Sequence, residues 1–560
     1  MLNNIKSLKV LKIVMELIEK GIELNLFKYN KKMQDKLNIQ KKDFKEFTEK
    51  QYELLNRLNN ILKVNITDFN IKILAICHKR YFYYRDIEKY LSKIKFKFRE
   101  IEELNLSYNS HLTLYFLRYK NLEKLKVLNF SKNNVYTINA IQHMKLINLK
   151  VLNLSKNIIE VIDIFGKINL KNLEKLDLSE NRISDINVLE KTDFNDLKDL
   201  FLNDNLISDI KVLDKVKFKK LEKLNLNHNK ISDISILENI DFKELKELYL
   251  NFNNISDIKA LENTKFKKLE ILDLCIDKQE YFKILIISKI QSIKKLNINI
   301  KENTYNKNDE KVNFKELKEL AVHNLFELEN FNLEKLEILN LGYNNILSIN
   351  NLTRVGLNEL KELYLNNNFI SDIGALRDVN CKKLEILNLG ANNISNIDIL
   401  SDVNFKGLKG LYLYKNKISN IAIFEKVDFK RLEILNLYRN KIEDIIIFEL
   451  SSLYELKELY LSDNYISDIE ALENPNFKKL EILYLDYNII SNIDVFEFVN
   501  FNNLIILSLN NNKITNILPF HRIFEKLQLL NFELNFGSIE EKKYSKIISQ
   551  LKNNIKEFIY

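Results

Sequence analysis

The sequence predicts an α/β solenoid in which short parallel strands stack into one sheet and short helical or 3₁₀ turns line the opposite side. Three observations predict it. The stretch L-E-K-L-D-L-S-E-N at Leu173 returns as L-K-D-L-F-L-N-D-N at Leu197, L-E-K-L-N-L-N-H-N at Leu221 and L-K-E-L-Y-L-N-F-N at Leu245, a fixed step of 24 residues. A constant period of this size marks stacked supersecondary units rather than one globular core. Within each copy Leu alternates with polar residues, the two-residue period of a strand with one buried face. The ninth position is Asn, a residue suited to leaving a strand at a turn, whose side chain can bond loop backbone in its own and the next repeat.

The rest of the repeat follows from the same reading. I-S-D-I-x-x-L offers Ile, Ile and Leu at helical spacing around a Ser-Asp cap signal, which predicts a short helical or 3₁₀ turn. A Phe near the end of the repeat closes the core. Cys381 stands at one of these Phe positions and reads as a small core residue. Nineteen copies can be counted in phase, from Ile101 to Leu527. The middle ones are irregular: the ninth position becomes Asp277, Lys301 and Leu325, one step shortens to 19 residues, and Lys301–Val312 is polar. The strands are expected to continue there while the Asn series breaks, giving a bend or a binding loop.

Organisation and charge follow. The chain has 560 residues with only two Pro and nine Gly. No Pro-, Gly- or Ser-rich linker interrupts it, so one continuous body is expected, growing along one axis. The expected divisions are a basic helical head and N-terminal cap at 1–98, regular repeats at 99–276, degenerate repeats with an insert at 277–335, regular repeats at 336–536 and a C-terminal capping helix at 537–560. The first 100 residues hold 23 Lys and Arg against 12 Asp and Glu, so the net charge of +9 belongs to the head. There Lys79, Arg80, Arg85 and Lys89 mix with Tyr81, Phe82, Tyr83 and Tyr84, a pattern that can serve single-stranded nucleic acid. In Lys93–Arg99, however, Lys and Arg alternate with Ile94, Phe96 and Phe98, and Phe98 is in phase with the closing Phe of later repeats. A cap on the solenoid is the preferred reading over nucleic acid, membrane or acidic-protein contact.

The function classes narrow by what the chain lacks. No stretch reaches the length of a membrane span, and the N-terminus reads as an amphipathic helix, not a signal peptide. Cys77, Cys275 and Cys381 are far apart and odd in number, which argues against a disulfide framework or a zinc site. Sequons such as Asn254-Ile255-Ser256 fall where a glycan would crowd the stack, which favours a cytoplasmic setting. No nucleotide-binding, hydrolase or metalloprotease motif is present. Of the six His, His228 and His323 fall near the outward strand face, without a cluster of ligands around them. A non-enzymatic chain without cofactor or metal is expected.

Over about residues 101–536 the sequence resembles leucine-rich-repeat proteins. The form L-x-x-L-x-L-x-x-N-x-I-S-D-I-x-x-L is similar to the short-repeat subclass found in protein-phosphatase regulators and bacterial internalins. It departs from that subclass in its longer repeats with an added Phe, and it lacks the signal peptide and wall anchor of an internalin. The head, I-K-S-L-K-V-L-K-I-V-M-E-L-I-E-K, is vaguely similar to an F-box in its helices and apolar run, without the diagnostic Pro. The resemblance implies a leucine-rich-repeat horseshoe with a parallel concave sheet and short helical/3₁₀ turns on the convex side. It also implies a scaffold or adaptor that binds a protein partner on the concave face. Two alternatives follow from it: a substrate receptor of a ubiquitin ligase through the F-box-like head, and a protein-phosphatase regulatory subunit.

Residues can be chosen on that face. The third, fifth and seventh positions point outward, with the eighth beside them. In the C-terminal arm they carry Tyr343, Tyr364, Tyr412, Tyr414, Tyr438, Arg439, Tyr460, Tyr484 and Tyr487; the N-terminal arm has Phe201 and Tyr249. Ile338, Ile386, Ile434 and Ile482 occupy alternate third positions. Tyr and Arg are enriched where proteins bind, although Tyr and Ile are also simply good strand residues.

Overall fold

Each repeat forms a three-residue strand centred on the first Leu of its L-x-L core, because that Leu is buried and its two neighbours point outward, and consecutive copies pair in parallel. The computed structural model describes residues 102–560 apart from 109–113, 119–120, 279–291, 303–311, 314–315, 324–327, 329–330, 500, 522–525, 534, 536–540 and 560. The head at 1–98, with its F-box-like segment, therefore lies outside the described residues, as does Leu325. The chain divides into two units, Met1–Leu269 and Glu270–Tyr560.

Among the described residues of the first unit seven strands run in chain order: β1 (Glu103–Asn105), β2 (Val127–Asn129), β3 (Val151–Asn153), β4 (Lys175–Asp177), β5 (Asp199–Phe201), β6 (Lys223–Asn225) and β7 (Glu247–Leu250). All pair in parallel with equivalent positions opposed, so that Leu176, Leu200, Leu224 and Leu248 form one row. Those leucines are fully buried. The chain leaves each strand through a left-handed residue at the eighth position, such as Glu180 (φ 53), Asp204 (φ 55) and His228 (φ 54). A non-glycine residue there costs about 1 kcal/mol or more. The adjacent ninth-position Asn offsets that cost. The Asn229 Nδ2 donates to the carbonyls of Leu226 and Asn227 in its own repeat and to Leu202 in the preceding one, at 3.0, 3.2 and 3.0 Å. Its Oδ1 accepts from the Ile207 N–H at 3.0 Å.

This corrects the direction expected from sequence, which was the next repeat. The Leu202 N–H reaches forward to Asn225 O, and its carbonyl points the same way, past the end of the following strand. No backbone donor meets it there, so the following repeat supplies the Asn amide.

The opposite side is built from the I-S-D-I turns. The Asp209 carboxylate accepts from the Lys211 N–H at 2.8 Å and opens the 3₁₀ turn Lys211–Asp214. Asp185 and Asp233 do the same for Asn187 and Ser235. Ile207, Ile210 and Leu213 are buried beneath the turn. The closing phenylalanines also pack against their neighbours: the Phe194 ring lies 6.1 Å from Phe218 and 5.9 Å from Phe165.

The second unit begins with the degenerate repeats. Strands β8 (Ile271–Lys278) and β9 (Lys295–Glu302) are eight residues long and include the ninth positions Asp277 and Lys301. Without an Asn to hold the turn, the strand runs on. A two-residue parallel pair, β10 (Val312–Asn313) with β12 (Phe331–Asn332), flanks β11 (Glu319–His323) in sequence and forms a separate small sheet. Leu296 opposes Leu320, which opposes Leu339 of β13 (Ile338–Asn340), so the 19-residue step adds no slip. Strands β14 (Glu362–Tyr364), β15 (Ile386–Asn388), β16 (Gly410–Tyr412), β17 (Ile434–Asn436), β18 (Glu458–Tyr460), β19 (Ile482–Tyr484), β20 (Ile506–Ser508) and β21 (Leu529–Asn531) then follow in register.

A helix was expected across 537–560. Helix α1 spans Glu541–Asn554 and buries Tyr544, Ile548 and Leu551. The chain then adds a strand, β22 (Glu557–Ile559), whose Phe558 opposes Leu530 of β21. An uncovered edge strand would leave its peptide groups open to other chains, and β22 takes up that edge. Among the described residues no helix is long and apolar enough to cross a membrane.

Alternating charge runs along the second repeat position in both units. Glu174 sits between Lys150 and Lys198, at 2.6 and 2.9 Å. Glu337 sits between Lys318 and Lys361, at 2.7 and 2.6 Å. Lys409–Glu385 and Lys457–Glu433 continue the series, each at 2.7 Å. Exposed pairs of this kind contribute little each. Their order still matters, because pairing a repeat with its next-but-one copy would set Glu against Glu.

Two outcomes follow. Asn229→Leu leaves the Ile207 N–H without its acceptor and takes one of two asparagine donors from each of the Leu202 and Leu226 carbonyls, which keep Asn205 and Asn253; this should cost about 1–3 kcal/mol, with hydrogen-exchange protection falling first at residues 205–253, and unchanged protection there would refute the role given to the amide. The two lysines hold the Glu337 carboxyl down at about 2, against an ordinary 4.5. Its contribution to stability is therefore complete above pH 4.5 and is lost as the pH falls toward 2. Carboxyl carbon NMR of Lys318→Met/Lys361→Met should show Glu337 titrating near its ordinary value.

Candidate protein-binding face

The outward positions of the second unit form aligned columns because the strands share one register. The fifth-position column reads Asn340, Tyr364, Asn388, Tyr412, Asn436, Tyr460, Tyr484 and Ser508. Tyr364, Tyr412, Tyr460 and Tyr484 are half-buried on it. Tyr460 and Tyr484, on adjacent strands, stack with ring centroids 5.4 Å apart and planes 9° apart. The Tyr364 hydroxyl donates to the Glu362 carboxylate at 2.7 Å, and the Tyr460 hydroxyl donates to Glu458 at 2.8 Å. The side chains two positions apart on one strand share a face, which brings these pairs together. Burial, and then the neighbouring carboxylate, pushes both hydroxyls well above the ordinary tyrosine range. Burial also raises Tyr412, Tyr414 and Tyr484.

Two glycines seat two of the rings. A Cβ on Gly410 would stand 3.0 Å from the Tyr412 ring, and one on Gly390 would fall within the Tyr414 ring itself. Both rings thus lie down over bare backbone. Tyr438 is half-buried beside them. Tyr343 and Tyr487 differ: they occupy the left-handed turn position, at φ 59 and 53, and are 73% and 58% exposed. Arg439 shares that position and lies 3.5 Å from Asp463. Ile338, Ile386, Ile434 and Ile482 are half-buried rather than open to water, since side chains on strands about 4.8 Å apart shield one another.

Phe201 and Tyr249 lie at fifth positions on the strands of the first unit. Lys223 stands over both rings, 5.6 and 5.2 Å from their centroids, and Lys175 stands 4.8 Å from Phe201. Tyr249 donates to Glu247 at 2.8 Å, as its counterparts do. At the turn beside these strands the His228 ring stacks on Phe252 at 4.1 Å, with Asp204 at 4.0 Å.

The sequence places Glu362, Gly410 and Glu458 at third positions between the isoleucines; what only the structure shows is that the carboxylates take the tyrosine hydroxyls and that Gly410 and Gly390 seat rings. The recurring triplet E-L-Y at Glu247, Glu362 and Glu458 was the available signal. Burial holds the Cys381 thiol up at about 12, so it is a core group rather than a nucleophile. Among the described residues no cluster of three His, Cys, Asp or Glu could hold a metal.

A family model described as leucine-rich repeats, two copies, matches residues 147–191, 196–239, 358–402 and 454–497. These segments are leucine-rich repeats. No curated protein matches its sequence. Among solved structures it is similar to the internalin InlF of Listeria monocytogenes, with 27% identity, 65% of this chain and 88% of that one covered, and a TM-score of 0.39. It is also similar to a leucine-rich-repeat protein of Leptospira interrogans, with 21% identity, coverage of 86% and 100%, and a TM-score of 0.39. A complex of TLR13 with a single-stranded RNA aligns at 21% identity, coverage of 82% and 85%, and a TM-score of 0.45. Solenoids of stacked repeats commonly use the extended strand face for binding.

The seat under Tyr414 can be tested directly. Gly390→Ala should lift the ring and bring the Tyr414 hydroxyl down toward the ordinary range in a 13Cζ-tyrosine NMR titration. An unchanged Tyr414 resonance would show that the ring does not lie on Gly390.

Proposed function

We propose that the protein is a non-enzymatic scaffold or adaptor that grips a protein partner on the strand face of its second unit. The observation that carries this reading is the pre-arranged aromatic column: Tyr364 and Tyr460 tied to Glu362 and Glu458, Tyr412 and Tyr414 seated on glycines, and Tyr460 stacked on Tyr484. Tyrosine contributes large contact area with few rotors to freeze, and rings already held in place lose less entropy on binding. Tyr343, Arg439 and Tyr487 stand at the rim, where a partner laid on the column would reach them. Phe201 and Tyr249, in the first unit, are already occupied by lysine–ring contacts.

Affinity capture with the full chain, read by mass spectrometry, tests the proposal. Replacing Tyr364, Tyr412, Tyr460 and Tyr484 together by Ala should remove the captured partner while the melting curve keeps one cooperative transition. At least one of the single truncations should cost about 2 kcal/mol, roughly thirtyfold in Kd. Retention of every captured protein by the quadruple variant would defeat the reading.

A further inference from the structure

The column beside the tyrosines carries a second pattern. By strand register the third positions of the second unit run Ile338, Glu362, Ile386, Gly410, Ile434, Glu458, Ile482 and Ile506. The same column in the first unit runs Lys175, Asp199, Lys223 and Glu247, and neutralises itself, with Lys223 paired to Glu247. At the start of the second unit Lys295 likewise pairs with Glu319. Glu362 and Glu458 are different. Each is half-buried between two isoleucines, and each has a neutral tyrosine hydroxyl as its bonded partner. From β13 to β19 the third, fifth and seventh positions hold no Lys or Arg.

A half-buried carboxylate with one neutral hydrogen bond keeps most of its demand for a cation. The two carboxylates stand four strand steps apart, about 19 Å. Between them lie Ile386, Gly410 with the Tyr412 ring over it, and Ile434. In an extended chain, residues i and i+6 point to one side and are about 20 Å apart, with i+2 and i+4 on that side between them.

We propose that this face takes an extended protein segment, laid across the strands, that carries two basic side chains six positions apart and apolar side chains at the two same-side positions between them. The basic groups meet Glu362 and Glu458, and the apolar ones meet Ile386 and Ile434. Arginine suits the ends best, because its planar fork can take both oxygens of a carboxylate. The tyrosine hydroxyls hold the carboxylates in place beforehand, which lowers the ordering cost of binding. The proposal rests on the reading of this face as a protein-binding surface and specifies the chemistry of what binds there.

The test uses fluorescein-labelled Arg-Ser-Val-Ser-Val-Ser-Arg, titrated with the full chain and read by polarisation. The controls are the same peptide with both arginines replaced by glutamine, and Arg-Arg-Ser-Val-Ser-Val-Ser. The spaced peptide should bind saturably, at least tenfold tighter than either control, and the advantage should shrink as salt rises. Glu362→Gln/Glu458→Gln keeps an acceptor for each tyrosine hydroxyl, and so keeps the fold, but should abolish the tenfold advantage; each single variant should fall between. Absence of saturable binding, equal affinity for spaced and adjacent arginines, or full affinity in the double variant would each overturn the proposal. Failure here is distinguishable from failure of the face. If the captured partner is lost on replacing the tyrosines but kept by the double glutamine variant, the face stands and the basic-segment proposal falls. If neither set of changes releases it, both fall.

Discussion

The side-chain amide of the ninth-position asparagine is the bond on which each unit depends. A three-residue strand is too short to satisfy its own ends. Its sixth-position carbonyl points along the stack toward the next repeat, beyond the last backbone donor, and the chain must then turn through a left-handed residue. Asn181, Asn205, Asn229 and Asn253 in the first unit, and Asn368, Asn392, Asn440, Asn464 and Asn488 in the second, are buried at this point. Each holds carbonyls of two consecutive repeats, as Asn205 does with Leu178 and Leu202 and Asn392 does with Leu365 and Leu389. Because one side chain serves two repeats, the turn geometry of each copy is tied to that of its neighbour.

The degenerate repeats show the same rule from the other side. Where Asp277 and Lys301 replace the asparagine, the backbone stays extended and β8 and β9 pair along their length from Ile271–Lys295 to Lys278–Glu302. The leucines of these strands still fall in one row, since apolar burial and not the amide sets the strand register. Burial and turn formation are thus separable: Leu272, Leu296 and Leu320 keep the row, and the asparagine decides only where the strand stops.

A lighter structural duty distinguishes the outward face. The inward leucines, the turn isoleucines and the ninth-position asparagines are committed to the stack, and the second position carries the alternating ion pairs. Among the third, fifth and seventh positions, the fifth-position Asn and Asp serve the turn, accepting from the seventh N–H as Asn340, Asn388 and Asn436 do. The first unit spends its third positions on mutual neutralisation, with Lys175, Asp199, Lys223 and Glu247 in one column. The second unit instead sets isolated carboxylates among isoleucines and seats its tyrosines on glycine. A self-neutralised column offers little to a charged partner, whereas unpaired carboxylates bordered by apolar and aromatic groups supply both specificity and contact area.

Sequence alone determined the repeat, its length, the strand at L-x-L, the buried closing phenylalanines and the persistence of strands through the irregular middle. Each is a local consequence of periodic burial, and local periodicity is written in the chain. The tyrosine positions were legible for the same reason, as outward positions of a strand. Tertiary structure decided what depends on neighbours 19, 24 or more residues away. It set the backward reach of the Asn amide, which follows from where Leu202 O points, and the final strand β22 beside β21, which no periodicity announced. It also showed that Lys223 neutralises Glu247 while the residues opposite Glu458 on the adjacent strands are Ile434 and Ile482, a difference set by which strands lie side by side.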